Sequence, residues 1–284
     1  MNGDFRSVTQ GLHRQKWQRR KEVYVALTLS TRQTPNILLA MPRISMRLSA
    51  TSVECCDLHP HEIDRMFEIY SASYCDTSRP RFDQDLQDKT HCIVLRCADE
   101  TIVGFTTLKR YERTWSGQPI RVIFSGDTII DRKHWGSQQL AFAWMRLAGE
   151  IWQEQPDVPL YWFLICKGHR TYRYLGAMAL NYAPRAGVVT DPTVQALADH
   201  LAVERFGEAY DSATGVLSFK VPQGRLTTEL AQVPAPHLRL ENVAYFLQKN
   251  PHYASGDELV CLCELHPDNL RPMALRLFAA TQPC

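Results

Sequence analysis

Apolar residues change their spacing several times along this chain, and each change marks an element. From Arg121 to Ile130 the run is rich in β-branched and aromatic side chains (Val122, Ile123, Phe124, Ile129, Ile130), which predicts a strand. Polar Ser125, Gly126 and Asp127 interrupt it. Beyond it Leu140, Trp144, Leu147, Ala148 and Ile151 recur at spacings of three and four, one face of an amphipathic helix that ends near Trp152. Between strand and helix lies a short basic turn with one glycine, Arg132-Lys133-His134-Trp135-Gly136-Ser137.

Upstream, Arg47 to Val53 predicts a first strand. A helix opens at Leu58-His59-Pro60, with Ile63, Met66, Phe67, Ile69 and Tyr70 inward, and Arg81 to Lys89 predicts a polar helix. His91 to Cys97 and Ile102 to Lys109 alternate with period two around Ala98-Asp99-Glu100, which predicts a hairpin, and Trp115-Ser116-Gly117-Gln118 predicts another turn. Downstream, Leu160 to Cys166 is almost continuously apolar, as in a strand covered on both faces. Thr171 to Tyr182 predicts a helix ended before Pro184. Asp191-Pro192 starts another that runs to Phe206. Gly215 to Val221 predicts a strand, Pro222 to Pro236 a loop, Glu241 to Gln248 a short helix and Glu258 to Leu265 a strand. The fold class is therefore α/β (α+β): a central mixed sheet flanked by helices, with an additional C-terminal α/β region. Three segments are expected: a basic N-terminal extension over 1–45, a core over 46–188, and a C-terminal extension over 189–284 that completes the sheet and covers the site.

A hydrophobic content of 45% with 22% charged residues indicates a globular chain with a proper core. The net charge of +2 excludes nucleic-acid binding by bulk electrostatics, and no basic motif interleaved with aromatics argues for it. The charge is uneven: residues 1–50 hold nine Lys/Arg against two Asp/Glu, a mobile basic arm or a docking arm for an acidic partner. Met41 or Met46 is an alternative start. No apolar run is long enough for a membrane span, and Val23 to Leu29 is too short for a signal-peptide core. Nine cysteines, several inside apolar runs, suit reduced thiols in the cytoplasm, and no Cys/His spacing suits a zinc ion.

Free amides at a helix N-terminus, beside a glycine and two cations, can hold a phosphate. With that turn in place the element order resembles the GCN5-related N-acetyltransferase superfamily over about Met46 to Pro184. Three motifs carry the resemblance. Ile102-Val103-Gly104-Phe105 looks like the family's third strand. Lys133-His134-Trp135-Gly136-Ser137-Gln138 stands where the family has its Arg/Gln-x-x-Gly-x-Gly/Ala loop. Tyr172-Arg173-Tyr174-Leu175-Gly176 stands where it has Tyr-x-x-x-Gly. Lys133 departs from the usual Arg or Gln, Gln138 from the usual small residue, and Ala177 from an aromatic.

The resemblance implies an N-acyltransferase that moves an acyl group directly from acyl-CoA, or from the phosphopantetheine of an acidic acyl-carrier protein, to a small-molecule or peptide amine. It implies no metal. Trp135, Gly136, Ser137 and Gln138 would hold the pyrophosphate through their amides, with charge from Arg132 and Lys133; His134 would help neutralise the phosphate or be a solvated histidine. Tyr172 would protonate the leaving thiolate, with Tyr174 in reserve; the bland alternative is a core tyrosine. Asp127, in an apolar strand after a glycine that suggests a bulge, would be the base or a clamp on the acceptor's ammonium. Its alternative is a structural carboxylate paired with Arg121 or capping Thr128. Arg110, Arg113, Arg121, Arg132, Lys133, Lys167, Arg170 and Arg173 sit near element ends and would make the donor mouth basic if those ends cluster. Two other readings stand beside this one: a non-catalytic acyl-CoA-binding or regulatory module of the same fold, and a hydrolase using Cys166 near His169.

Overall fold

The computed structural model describes residues 48–280. The expected basic extension, residues 1–45, lies outside the described residues. In chain order the elements are β1 (Ser49–Glu54), α1 (Pro60–Ser73), β2 (Tyr74–Cys75), α2 (Arg79–Gln87), β3 (His91–Arg96), β4 (Ile102–Trp115), β5 (Gln118–Ile130), α3 (Gln139–Glu154), β6 (Leu160–Cys166) and α4 (His169–Met178). There follow α5 (Pro192–Phe206), β7 (Tyr210–Asp211), β8 (Val216–Leu217), β9 (Arg225–Leu226), α6 (Thr228–Ala231), α7 (Ala235–Leu238), α8 (Glu241–Lys249), β10 (Glu258–Glu264) and α9 (Pro272–Phe278).

One sheet of eight strands runs in the order β1-β3-β4-β5-β6-β10-β8-β7. Its first four strands are successive antiparallel neighbours, and β5 and β6 are parallel, joined through α3. The strand expected over Ile102 to Lys109 is longer than its apolar pattern, and the turn expected at Trp115 to Gln118 closes a second hairpin. The strand continues through Arg110 to Trp115, paired with Gln118 to Ile123, and the hairpin closes on Ser116 and Gly117, both at positive φ. That polar end escapes a hydrophobic reading because it projects beyond the core. Helix α5 begins at the expected place, with the Asp191 carboxylate accepting from the amides of Thr193 (2.8 Å) and Val194 (3.4 Å). The expected strand over 215–221 is only Val216–Leu217, and α9 is a helix that the spacing did not predict.

The sheet has helices on both faces. On one, α3, α4 and α9 cover Ile93, Leu95, Ile123, Trp162, Leu164 and Cys166. The other carries two separate apolar patches. Phe105, Val94 and Ile129 lie under α1 and α2, and Val122, Phe124, Phe163 and Val260 lie under α5. The face of β5 changes along its length. Ile123 packs beneath α3, whereas Ile129, an even number of residues later, packs beneath α1 and α2. A regular strand would keep both on one side. The reversal comes from a β-bulge: Leu108 faces Ser125 and Thr106 faces Thr128, so β5 carries one extra residue at Gly126-Asp127.

Two buried contacts fix this region. Arg121, 1% exposed, donates to the carbonyls of Ile151 (2.6 Å), Gln155 (2.5 Å), Val158 (3.0 Å) and Trp152 (3.3 Å), closing the C-terminal end of α3 where its dipole favours a cation. Helix α9 lies so close to α3 that a Cβ on Gly149 would come within 1.9 Å of the Phe278 carbonyl oxygen. Gly149→Ala is therefore expected to destabilise the protein by about 1–3 kcal/mol through overpacking, although alanine is the better helix former by roughly 1 kcal/mol. Urea denaturation measures it; an unchanged or raised midpoint would contradict the close seating of α9.

Candidate functional site

The parallel pairing of β5 with β6 ends at Ser125 and Leu164, where the buried Trp162 indole donates to Ser125 Oγ at 2.7 Å. Strand β5 remains bonded to β4 as far as Ile130. Past Ser125 the two parallel strands therefore part. A cavity of about 490 Å³ opens on the α4 side of the parting and one of about 370 Å³ on the side of α1, α2 and α5. They share Tyr74, Thr128, Lys167 and Thr171, which form a neck between them.

The α4-side cavity contains the basic turn. Trp135, Gly136, Ser137 and Gln138 line it, with Ile129, Ile130, Leu226 and Leu230 as apolar wall. The turn uses part of its own hydrogen-bonding capacity. The amide of Lys133 is capped by the Asp131 carboxylate (3.1 Å), and those of His134, Trp135 and Ser137 return to carbonyls of the turn. The amides of Gly136 and Gln138 have no partner among the described residues, and Gln138 provides no side-chain cap to α3. Gly136 holds φ at +93°, a conformation that L side chains rarely adopt. Four expected amide ligands are thus reduced to two.

The expected sources of positive charge also change. Arg132 is ion-paired with Glu229, Lys133 is exposed, and His134 turns its Nε2 to the Cys97 thiol at 3.8 Å; none of the three lines the cavity. The cations that do are Lys167, which meets Glu258, and Arg170 and Arg173 on the first turns of α4, which have no carboxylate partner among the described residues. Arg170 stacks on Trp135 (5.2 Å) and donates to the Leu230 carbonyl (2.5 Å); Arg173 meets His237 (3.3 Å). The other basic residues expected at the mouth are engaged elsewhere: Arg110 with Glu154, Arg113 with Glu204, and Arg121 inside α3's terminus.

Tyr172 lies in the core. It is fully buried among Leu175, Cys261 and Phe246, donates to the Pro184 carbonyl at 2.9 Å, and burial pushes its phenol far above the usual range. The helix starts at His169, so residues 169, 172, 175 and 178 form its inward face. Tyr172 touches neither cavity, which corrects its expected role as acid. Tyr174 lines the α4-side cavity, its phenol raised by burial against the opposing charge of Arg173. The Cys166 hydrolase reading also fails. Its thiol is fully buried, faces Cys261 at 3.8 Å and is raised well above the ordinary range by burial, while His169 is buried against His237 and pushed down to about 4 by burial and then by Arg170.

Asp127 opens into the other cavity with Asp85 and Glu258. It is not paired with Arg121, whose guanidinium is spent on α3. Lys89, its side chain wholly enclosed, bonds the Asp85 carboxylate at 2.5 Å, and Lys167 meets Glu258 at 3.3 Å. Asp127 is left without an ion pair among the described residues. Burial and then Asp85 raise its carboxyl to about 6, against the opposing pull of Lys167 and Lys89. Gly126 permits this approach, because a Cβ there would lie 2.3 Å from Thr107 Oγ1 and 2.6 Å from Lys89 Cε. Tyr74, whose phenol is raised by burial and by Asp127, stands at the neck under the Lys167 ammonium, 5.1 Å from its ring centre.

Sequence reasoning did not single out Tyr74, Glu258, Asp85 or Lys89. Tyr74 has no periodic signal: it sits in a two-residue strand held by pairing with Leu226, far along the chain. The arrangement has a phosphate-compatible turn at one end, a carboxylate able to take a proton near neutral pH at the other, and a neck with a phenol and an ammonium between them.

No family model and no curated protein matches this sequence. Among solved structures the chain is similar to a GNAT-family N-acetyltransferase (YhbS) from Escherichia coli in complex with CoA, at 12% identity and a TM-score of 0.35, over 52% of this chain and 72% of that one. A ribosomal-protein-alanine N-acetyltransferase from Brucella melitensis biovar Abortus 2308 aligns at 15% identity and a TM-score of 0.36, over 51% of this chain and 99% of that one. An aminoglycoside acetyltransferase from an uncultured soil metagenomic sample, in complex with sisomicin, aligns at 17% identity and a TM-score of 0.33, over 46% and 84%. Overlaps this loose transfer no activity and no residue role. The strand order and the parting of β5 from β6 stand on the chain's own register. No helix among the described residues is long and apolar enough to cross a membrane.

The raised Asp127 carboxyl has a consequence for stability. The folded state favours its protonated form, so no penalty exists below its ordinary value near 4. As pH rises from about 4 through about 6 the fold must hold a poorly solvated charge, and stability falls. Asp127→Asn is expected to be more stable than the parent by roughly 1–2 kcal/mol at about pH 7.5, with the advantage gone below about pH 4. Denaturant titrations across that range measure it; an advantage independent of pH would show that the carboxyl is unperturbed.

Proposed function

We propose that this chain is a divergent N-acyltransferase of the GCN5-related superfamily, which takes an acyl group from a phosphopantetheine thioester and passes it directly to an amine. The single observation that carries the reading is the pair of cavities joined through the parting of β5 and β6, with an anion-compatible turn on one side and Asp127 on the other. Two substrates entering from opposite faces would meet at Tyr74, Thr128, Lys167 and Thr171.

In this reading the donor's phosphates lie on the amides of Gly136 and Gln138, with Arg170 and Arg173 supplying charge. Asp127 accepts the proton of the acceptor's ammonium, leaving a neutral nitrogen. The amine attacks the thioester carbonyl, and collapse of the tetrahedral adduct breaks the C–S bond and releases the pantetheine thiolate, which takes a proton from Tyr74, while the Tyr74 phenolate recovers one from the protonated amide nitrogen. Residues 189–284 act as a cover, since Phe219, Gln223, Leu226 and Leu230 overhang the two cavities. The donor is acyl-CoA or the phosphopantetheine arm of a carrier protein, and no metal takes part.

Turnover measured by release of free thiol tests the assignment. Tyr74→Phe is expected to lower kcat by about 10²-fold, whereas Tyr172→Phe is expected to cost about 1 kcal/mol of stability through its lost bond to Pro184 and to leave kcat within a fewfold of the parent. A large kcat loss confined to the Tyr172 variant would reverse the assignment. The rate should fall as pH drops through about 6, where Asp127 becomes protonated and cannot serve as base. Arg170→Ala and Arg173→Ala should raise KM for the thioester without altering KM for the amine. Stabilisation by CoA with no turnover of any amine would favour a binding module instead.

A further inference from the structure

The cavity that holds Asp127 is charged differently at its two ends. At the sheet, two of its three carboxylates are neutralised from within: Glu258 by Lys167 at 3.3 Å and Asp85 by Lys89 at 2.5 Å. Asp127 alone of the three has no cation in bonding contact among the described residues. At the helical wall the imbalance is reversed. Just outside the lining, Asp88 answers two cations at once, Lys109 from β4 and the wall residue Arg205, so one negative charge serves two positive ones. Arg205 binds Asp88 through one terminal nitrogen only; its other terminal nitrogen makes no bond among the described residues. Arg81, from α2, donates only to the Pro222 carbonyl, a neutral acceptor. One wall therefore lacks a positive charge and the other lacks a negative one.

The ends are rigid. The Arg205 guanidinium carbon sits over Phe124, 3.9 Å from the ring centre, so its position follows that of β5. Phe124 precedes Asp127 by three residues on the same strand, a separation on the order of 10 Å or less. An ammonium bonded to Asp127 and a carboxylate bonded to Arg205 span about that distance when amine and carboxyl are only a few bonds apart, since each contact adds about 3 Å. Between the two ends the wall is aromatic, formed by Phe124, Phe206, Phe219 and Tyr70. The space is about 370 Å³, enough for one small molecule and too little for a folded chain segment.

We infer that the acceptor is a free amino acid with an apolar or aromatic side chain, its ammonium on Asp127 and its carboxylate on Arg205 and Arg81. The inference rests on the N-acyltransferase reading for its chemistry, but the binding site it describes can be tested without turnover. The carboxylate anchor would also separate such a substrate from simple amines, because an amine without it leaves the arginine wall uncompensated.

The test is calorimetric titration of the whole protein with leucine and phenylalanine, with their decarboxylated amines isoamylamine and phenethylamine, and with the matching acids lacking the amino group. Each amino acid should bind about tenfold or more tighter than either relative, the worth of one charge-assisted hydrogen bond. Arg205→Met should reduce the ratio of amino acid to amine affinity to near one. Arg81→Met should reduce it in the same direction, and reads the same ratio should the first variant fail to fold. Equal affinity for amine and amino acid, a ratio unmoved in both variants, or no binding of either amino acid overturns the inference. Thiol-release assays with the same panel separate it from the reading beneath it. Acylation of phenethylamine in preference to phenylalanine would sink the amino-acid site and keep the acyltransferase. Arginine-dependent binding of phenylalanine without acyl transfer would keep the site and sink the acyltransferase.

Discussion

The site exists because two parallel strands stop bonding to each other in the middle of a sheet. Ser125 and Leu164 are the last paired residues of β5 and β6, and the Trp162–Ser125 bond fixes that pair from below. One residue later the bulge at Gly126-Asp127 adds twist and turns β5 away, while β4 keeps hold of it to Ile130. A regular strand here would continue the ladder and leave no cleft. It would also keep Asp127 and Ile129 on the α3 face. The extra residue does three things together: it opens the sheet, moves Ile129 into the core beneath α1 and α2, and points a carboxylate into the opening.

The charges around this opening follow from the cost of enclosing them. A buried ion without a partner is expensive, and most of those here are matched: Lys89 with Asp85, Lys167 with Glu258, and Arg121 with the terminal carbonyls of α3. The exceptions cluster in the two cavities. Among the described residues Asp127 has no ion pair, its neighbours Lys89 and Lys167 being bonded to Asp85 and Glu258, and Arg170 and Arg173 have no carboxylate partner. A fold optimised for stability alone would not leave both signs uncompensated on either side of one neck, and unmatched charge of this kind is what a bound substrate can complete.

Tyrosine shows how a correct pattern can lead to the wrong residue. The Tyr-x-x-x-Gly motif in α4 marks a tyrosine on the helix, and the structure has one there. But the helix begins at His169, and its phase puts Tyr172 on the inward stripe with Leu175 and Met178. A shift of two residues around the helix brings Tyr174 to the cavity wall. The phenol at the neck comes from a different part of the chain, Tyr74, held where β2 meets β9. The basic turn behaves similarly. Its glycine lines the cavity as expected, but Arg132, paired with Glu229 and set over the Trp135 ring, and the exposed Lys133 are not part of the lining, and their part falls to Arg170 and Arg173.

Local rules were enough for much of this molecule. The period of Leu140 to Ile151 set an amphipathic helix, the unbroken apolar run from Leu160 to Cys166 set a central strand, and Asp191-Pro192 started α5, because each depends only on neighbours within a few residues. Gly126 beside Asp127 already indicated a bulge and an unusual carboxylate. What the order of residues could not state is which charges would meet. Asp85, Asp127, Lys167 and Glu258 are separated by long stretches of chain, and whether a given carboxylate is neutralised depends on side chains delivered by different strands and helices. That matching was decided by packing, since only the folded sheet determines that Lys167 goes to Glu258, that Arg121 closes a helix, and that Asp127 remains open.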